Sequence, residues 1–267
     1  MSPSFLSRPQ SYQDAVAREW LVGNGLGGYA SSTLCGSNTR AYHGLLVAAL
    51  QPPKDRWLLL AFLDEEIEGH HLACHQYPGA IYPQGYQYIR EFRQDPFPRI
   101  CYEVGEARVE KTVFMIRGEN TTIVRYRITG GEGRFSIVPL MHSRSFHAAR
   151  PLPLLLQEEL NRGAQIRSLE KTDALLTLLS DGPDFRADER VYHNFEYEAE
   201  RSRGLAWKED LFSPGCFQME LSGEAEFAIA ASAWRSSMPD WRREMAREKA
   251  RLEALKAPLP ELAMAAD

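Results

Sequence analysis

Along the chain, short runs rich in β-branched, aromatic and leucine residues recur between turn residues, and several of them alternate apolar with polar positions at a period of two. In the run 122–128, Val124, Tyr126 and Ile128 fall on one side and Arg125 and Arg127 on the other, as in a strand with one buried face. Similar runs predict strands at 30–34, 45–50, 57–63, 86–92, 100–104, 108–116, 121–129, 134–141, 174–179, 195–199, 216–221 and 226–233. Gly105-Glu106 between two runs predicts a tight hairpin. The stretches 118–120 and 130–133 predict longer turns. Many closely spaced strands with no helices between them argue against a parallel α/β fold. They predict an all-β domain: a large antiparallel, supersandwich-like β-sandwich.

Helical spacing appears once, near the end. Trp241, Met245, Leu252 and Leu255 form a stripe within 239–256, interrupted by Glu248, with Ser237 and Asp240 as a capping box and Pro258 and Pro260 as stops. This helix either packs back on the sandwich or connects to a following domain. The expected division is a β-sandwich over 1–236 and a helical linker over 237–267, the last residues, LPELAMAAD, reading as linker.

Composition changes this picture little. The 267 residues are 44% hydrophobic and 25% charged, ordinary for a globular chain with a sizeable core. A net charge of −5 and the absence of like-charge runs argue against a nucleic-acid partner. No apolar stretch approaches the ~18 residues of a membrane span, and the first 20 residues lack a signal-peptide core. The expectation is a soluble, cytoplasmic protein without a membrane partner. Cys35, Cys74, Cys101 and Cys216 are far apart and read as reduced thiols.

Candidate chemistry is concentrated in 19–50. Gly23, Gly25 and Gly28 match GxGxxG spacing, but no strand–helix context surrounds them, so a glycine-rich turn allowing close approach is preferred to a dinucleotide site. Asn38 to Gly44 gathers Arg40, Tyr42 and His43, groups suited either to sugar hydroxyls or to holding buried carbonyls. A second polar group spans 142–147 and includes Arg144. A third spans 207–215, where Glu209 and Asp210 are adjacent and would point to opposite faces of a strand, a poor acid/base dyad. Asp64-Glu65-Glu66 reads as a solvated strand end. His70, His71 and His75 lack the further ligands of a zinc site and read as a polar loop, so neither metal nor cofactor is expected.

The residues spell more than their chemistry. Glu19-Trp20-Leu21-Val22-Gly23-Asn24-Gly25-Leu26-Gly27-Gly28-Tyr29-Ala30-Ser31 resembles the opening signature of bacterial and archaeal glycogen debranching enzymes. So do the run from Asn38 through Arg40, Tyr42 and His43 to Ala48, Pro52-Pro53 with the strand to Asp64-Glu65, and Glu209 to Gly215. The resemblance implies an amino-terminal β-sandwich, followed by an (α/α)6 toroid that carries the amylo-α-1,6-glucosidase site. Asp267 falls where that toroid is expected to begin, so no catalytic carboxylate is carried over and the chain alone is expected to be inactive. Its implied partners are that toroid and an α-glucan such as glycogen or maltodextrin. Asn24, Arg40, Tyr42, His43, Arg144 and Asp210 are the expected residues of a domain interface or glucan-cleft rim. A free-standing carbohydrate-binding module, with Trp57, Tyr82, Tyr86 and Tyr88 as stacking aromatics, is the competing reading. A complete mutarotase-like enzyme is a third.

Overall fold

A computed structural model of the protein describes residues 5–147 and 150–255. Its strands are β1 (Phe5–Ser7), β2 (Glu19–Gly23), β3 (Tyr29–Thr33), β4 (Gly44–Gln51), β5 (Lys54–Ile67), β6 (His70–His71), β7 (Cys74–Tyr77), β8 (Ala80–Gln84) and β9 (Ile89–Gln94). They continue as β10 (Pro98–Val104), β11 (Ala107–Met115), β12 (Thr121–Ser145), β13 (Leu155–Leu160), β14 (Gly163–Ser168), β15 (Leu175–Ser180), β16 (Asp184–Glu196) and β17 (Lys208–Ser232). The helices are α1 (Tyr12–Val16), α2 (Glu198–Ser202) and α3 (Trp241–Glu253). The all-β reading holds, and the Gly105-Glu106 hairpin joins Val104 to its partner Ala107.

Two layers share two long strands. The first runs β1-β9-β10-β11-β12-β17-β15-β14-β13. The second runs β2-β3-β4-β5-β12, with β16 on the far side of β17. The first half of β12 pairs with β11 and its second half with β5. Residues 130–133 are therefore not the turn expected from their glycines. There β12 bends from one layer into the other while Gly131 still faces Gly223 across the ladder. Gly130 takes φ +71, where an added Cβ would lie 2.4 Å from the Glu106 carbonyl oxygen, so the bend requires glycine.

The core lies between the layers. Val124, Tyr126 and Ile128 are buried as their spacing predicts. Tyr126 stacks on Phe227 at 5.3 Å and meets Phe135 edge-on at 5.9 Å. Asp64-Glu65-Glu66 does not end its strand, because β5 runs on to Ile67. Alternation sends Glu65 inward, where Lys111 Nζ lies 2.6 Å away and the Tyr126 hydroxyl donates to the same oxygen at 2.5 Å. Asp64 and Glu66 point outward.

Other departures have local causes. Residues 85–88 form a 3-10 turn before β9, so the strand expected at 86–92 starts late. At 195–199 the strand stops at Glu196, and Glu198–Ser202, rich in good helix formers, winds into α2. The polar β16 and the edge strand β13 lack the apolar alternation that marks buried strands, and the short β14 shows it only at Ala164 and Ile166.

The terminal helix begins two residues later and stops three earlier than its spacing suggests. Asp240 alone caps it, accepting from the Arg243 amide at 3.2 Å; Ser237 takes no part. Trp241, Met245 and Leu252 pack on Phe97, Phe114, Ile123 and Leu179, the outer face of the first layer. Of the two arrangements open to this helix, packing back on the sandwich is the one observed. Pro258, Pro260 and the linker tail lie outside the described residues. Among the described residues no helix is long and apolar enough to cross a membrane. The four cysteines are free thiols.

Candidate functional site

The glycine-rich segment is the loop joining β2 to β3, closed by Gly23 opposite Tyr29. Its hub is Asn24, which is fully buried. The Asn24 Nδ2 donates to the Glu119 carbonyl and to Asn120 Oδ1, both at 2.9 Å. Its Oδ1 accepts from the amides of Leu26 at 2.9 Å and Gly28 at 3.0 Å. Asn120 in turn exchanges two bonds with the backbone of Ala49. The amide pair thereby ties three chain segments together. A Cβ on Gly28 would stand 2.5 Å from Asn120 Oδ1 and 2.6 Å from Asn24 Nδ2. The loop is a close-approach device with its polar groups turned inward, which is not the geometry of a phosphate cradle.

Beside it opens a cleft of about 570 Å³. Its walls are the outward face of β2, the 40–43 loop, the β9–β10 connection at 94–97 and the α3 side chains Glu248, Arg251 and Leu252. Arg40 Nε donates to Glu19 Oε1 at 2.9 Å, and His43 Nε2 lies 3.6 Å from the same oxygen. His43 Nδ1 accepts the Thr39 amide at 3.3 Å, which assigns the ring proton to Nε2, facing Glu19. Burial pulls the His43 pKa down to about 4, with Glu19 only partly opposing it, so the imidazole is neutral at pH 7. The Tyr42 ring meets Phe146 edge-on at 5.3 Å, and its hydroxyl bonds His147 Nδ1 at 3.3 Å.

Beneath the loop lies Arg144, 1% exposed. It makes a two-point ion pair with Glu209, its Nη2 to Glu209 Oε2 measuring 3.1 Å. The same Nη2 donates to the Ala41 carbonyl at 2.9 Å, while Glu200 Oε1 accepts the Ala41 amide at 3.1 Å. Tyr197 completes the set by donating to Glu209 at 2.5 Å. Burial works against the guanidinium charge, but the Glu209 carboxylate outweighs it and the Arg144 pKa is raised. This network clamps both backbone groups of Ala41, the residue between Arg40 and Tyr42.

Of the six residues expected at one surface, Arg40, Tyr42 and His43 line the cleft. Arg144 supports them from below. Asn24 is sealed inside its loop. Asp210 sits on the β16–β17 ribbon, bonding His193 Nδ1 at 2.8 Å and the Asn194 amide at 2.9 Å. Burial tends to raise its pKa, but those bonds prevail and lower it. Glu19, which organises the cleft, was not among the expected site residues; its only signal was its place at the head of the first motif. The cleft's carboxylates both pair with arginines, Glu19 with Arg40 and Glu248 with Arg251. Among the described residues no group of three or more His, Cys, Asp or Glu side chains could hold a metal. His70, His71 and His75 instead contact Tyr88, Glu66 and Asp64, from β6 and β7 rather than from the expected loop.

The family model for the glycogen debranching enzyme N-terminal domain matches residues 18–228. The chain belongs to this family. The match takes in the Asn24 loop, the 40–43 loop, Arg144 and Glu209, and it ends inside β17, before α3. No curated protein matches the chain in sequence. Among solved structures, Polysaccharide Lyase BACCELL_00875 aligns with 87% of this chain at 10% identity and a TM-score of 0.32. The chain spans 34% of that lyase's length.

Proposed function

We propose that the chain is the non-catalytic N-terminal domain of a cytoplasmic glycogen debranching enzyme. It supports an (α/α)6 domain of the same protein that hydrolyses α-1,6 glucan branches. The Glu19–Arg40–Tyr42–His43 cleft faces that domain at the rim of its glucan site. One observation carries the reading: residues of two family motifs, separated in sequence, converge on one open cleft and are clamped there by the buried Arg144–Glu209 pair. A free-standing sandwich has no need of such a surface. The bound state of both cleft carboxylates fits a supporting role rather than hydrolysis.

The test is Arg40→Ala in the full-length enzyme. A drop in kcat/KM on a branched dextrin, or weaker attachment of the two domains, is expected. Unchanged kcat/KM and unchanged stability would overturn the reading. Glucose release by this chain alone would overturn it too, in favour of a complete enzyme. As for the binding-module alternative, the structure does not gather its proposed platform. Of Trp57, Tyr82, Tyr86 and Tyr88, only Tyr82 is largely exposed.

A further inference from the structure

A second cleft, of about 400 Å³, lies on the outer face of the second layer, with walls distinct from those of the first. Its floor follows from strand alternation. Asp64 and Glu66 on β5 point the same way, and across the ladder they face Val138 and Ser136 on β12. Asp188, Arg190 and Tyr192 project from β16 along one side, and the β7–β8 hairpin closes the other with His75, Tyr77 and Tyr82.

The lining is built rather than merely polar. His75 is 3% exposed, and its Nε2 bridges both Asp64 oxygens at 3.0 and 2.8 Å. The ring is wedged against Phe62 at 4.4 Å and Phe195 at 5.1 Å, so it fixes the Asp64 carboxylate in one orientation. Arg190 and Arg134 pair with Asp188 at 2.6 Å and Glu66 at 3.7 Å, yet their side chains stay 62% and 60% exposed and keep donors in reach of a ligand. Tyr82 is 61% exposed at the rim, 6.3 Å from the His71 ring. Tyr77 leans on Phe195 at 5.0 Å.

Charge selects the ligand class. Asp64, Glu66 and Asp188 outnumber Arg134 and Arg190 by one, so a phosphate or uronate finds no positive field. A purely apolar ligand would cut these charged groups off from water with nothing to replace it. Tyrosine faces combined with fixed hydroxyl acceptors and donors suit a neutral polyol with flat apolar faces.

We propose that this cleft binds a neutral oligosaccharide. Tyr82 and Tyr192 supply ring platforms, Asp64 held by His75 accepts hydroxyls, and Arg190 donates to them. The site goes beyond the supporting role proposed above; only the choice of maltoheptaose as first probe rests on that role.

Calorimetric titration of the chain with maltoheptaose, cellohexaose and hexagalacturonate tests it. Saturable binding of a neutral sugar is expected. Tyr82→Ala and Arg190→Ala should each weaken it about tenfold, ~1.4 kcal/mol, with the melting temperature unchanged because both side chains are exposed. Binding of cellohexaose but not maltoheptaose would uphold the site and count against the debranching assignment. Absence of saturable binding by every neutral sugar would overturn the proposal. So would tighter binding of the uronate, or loss of binding in Arg40→Ala but not in Tyr82→Ala.

Discussion

Arg144 and Glu209 form an ion pair in which neither side chain reaches solvent. The pair joins β12 to β17 and carries the Ala41 carbonyl as a third member. Removing one partner leaves a buried charge uncompensated, which typically costs about 3–5 kcal/mol. Arg144→Ala is therefore expected to lower the unfolding free energy by that order, read from the urea midpoint and slope. Arg144→Lys should also be damaging, since one ammonium cannot reproduce the guanidinium fork on Glu209 and Ala41 together. Arg144→Met combined with Glu209→Leu should be milder than either single change. A sum of the two single effects in the double variant would show that the residues do not act as a unit.

Asn24 makes a second, independent prediction. Asn24→Ala strips partners from the Leu26 and Gly28 amides, at about 1–3 kcal/mol for each buried group left unsatisfied. Gly28→Ala should destabilise by about 1–3 kcal/mol through overpacking against the two asparagine amides. Deleting the Asn24 amide makes room for the new methyl, so the double variant should lose less than the sum. Chemical denaturation of the four proteins measures the coupling, and strict additivity would contradict this geometry.

What the sequence made legible was local. Alternation at Val124, Tyr126 and Ile128 gave both the strand and its buried face, and Gly105-Glu106 gave a hairpin, because both are set within a few residues. The 130–133 bend misled because glycines that end a strand and glycines that bend one look alike; the difference lies in Gly223, nearly a hundred residues away. Strand β16 was invisible because its exposed ribbon needs no apolar face. Arg40, Tyr42 and His43 were found together because one loop carries them. The supporting Arg144–Glu209 contact, the role of Glu19 and the covering helix α3 all depend on tertiary closure, which residue spacing does not encode.

His43 gives the chain a pH dependence of defined sign. Unfolded, its imidazole titrates near 6.5; folded, burial brings the pKa to about 4. Between these values the unfolded state holds a proton that the folded state lacks, so stability falls as pH drops from about 6.5 to about 4 and is constant in this respect above that window. The buried His142, whose pKa is also lowered by burial, adds to the loss in the same direction. His43→Gln should weaken, without abolishing, the fall in urea midpoint between pH 7 and pH 4.5. An equally steep fall in the variant would mean that His43 protonates freely in the folded protein.

Trp241 holds α3 against the sandwich. Its ring is 3% exposed against the outer face of the first layer, and its Nε1 donates to Asp181 Oδ2 at 2.6 Å. Truncating a buried tryptophan to alanine costs about 3–5 kcal/mol. Trp241→Ala should therefore release α3 and with it the cleft wall formed by Glu248, Arg251 and Leu252. Hydrogen exchange would report this as lost protection in α3, together with new exposure around Phe97 and Phe114. Deletion after residue 236 should produce the same exposure and a similar drop in stability, because the same apolar face is uncovered. If the deletion leaves the midpoint unchanged, residues from 237 onward behave as a linker, and the cleft beside Arg40 is closed on that side by something other than this helix.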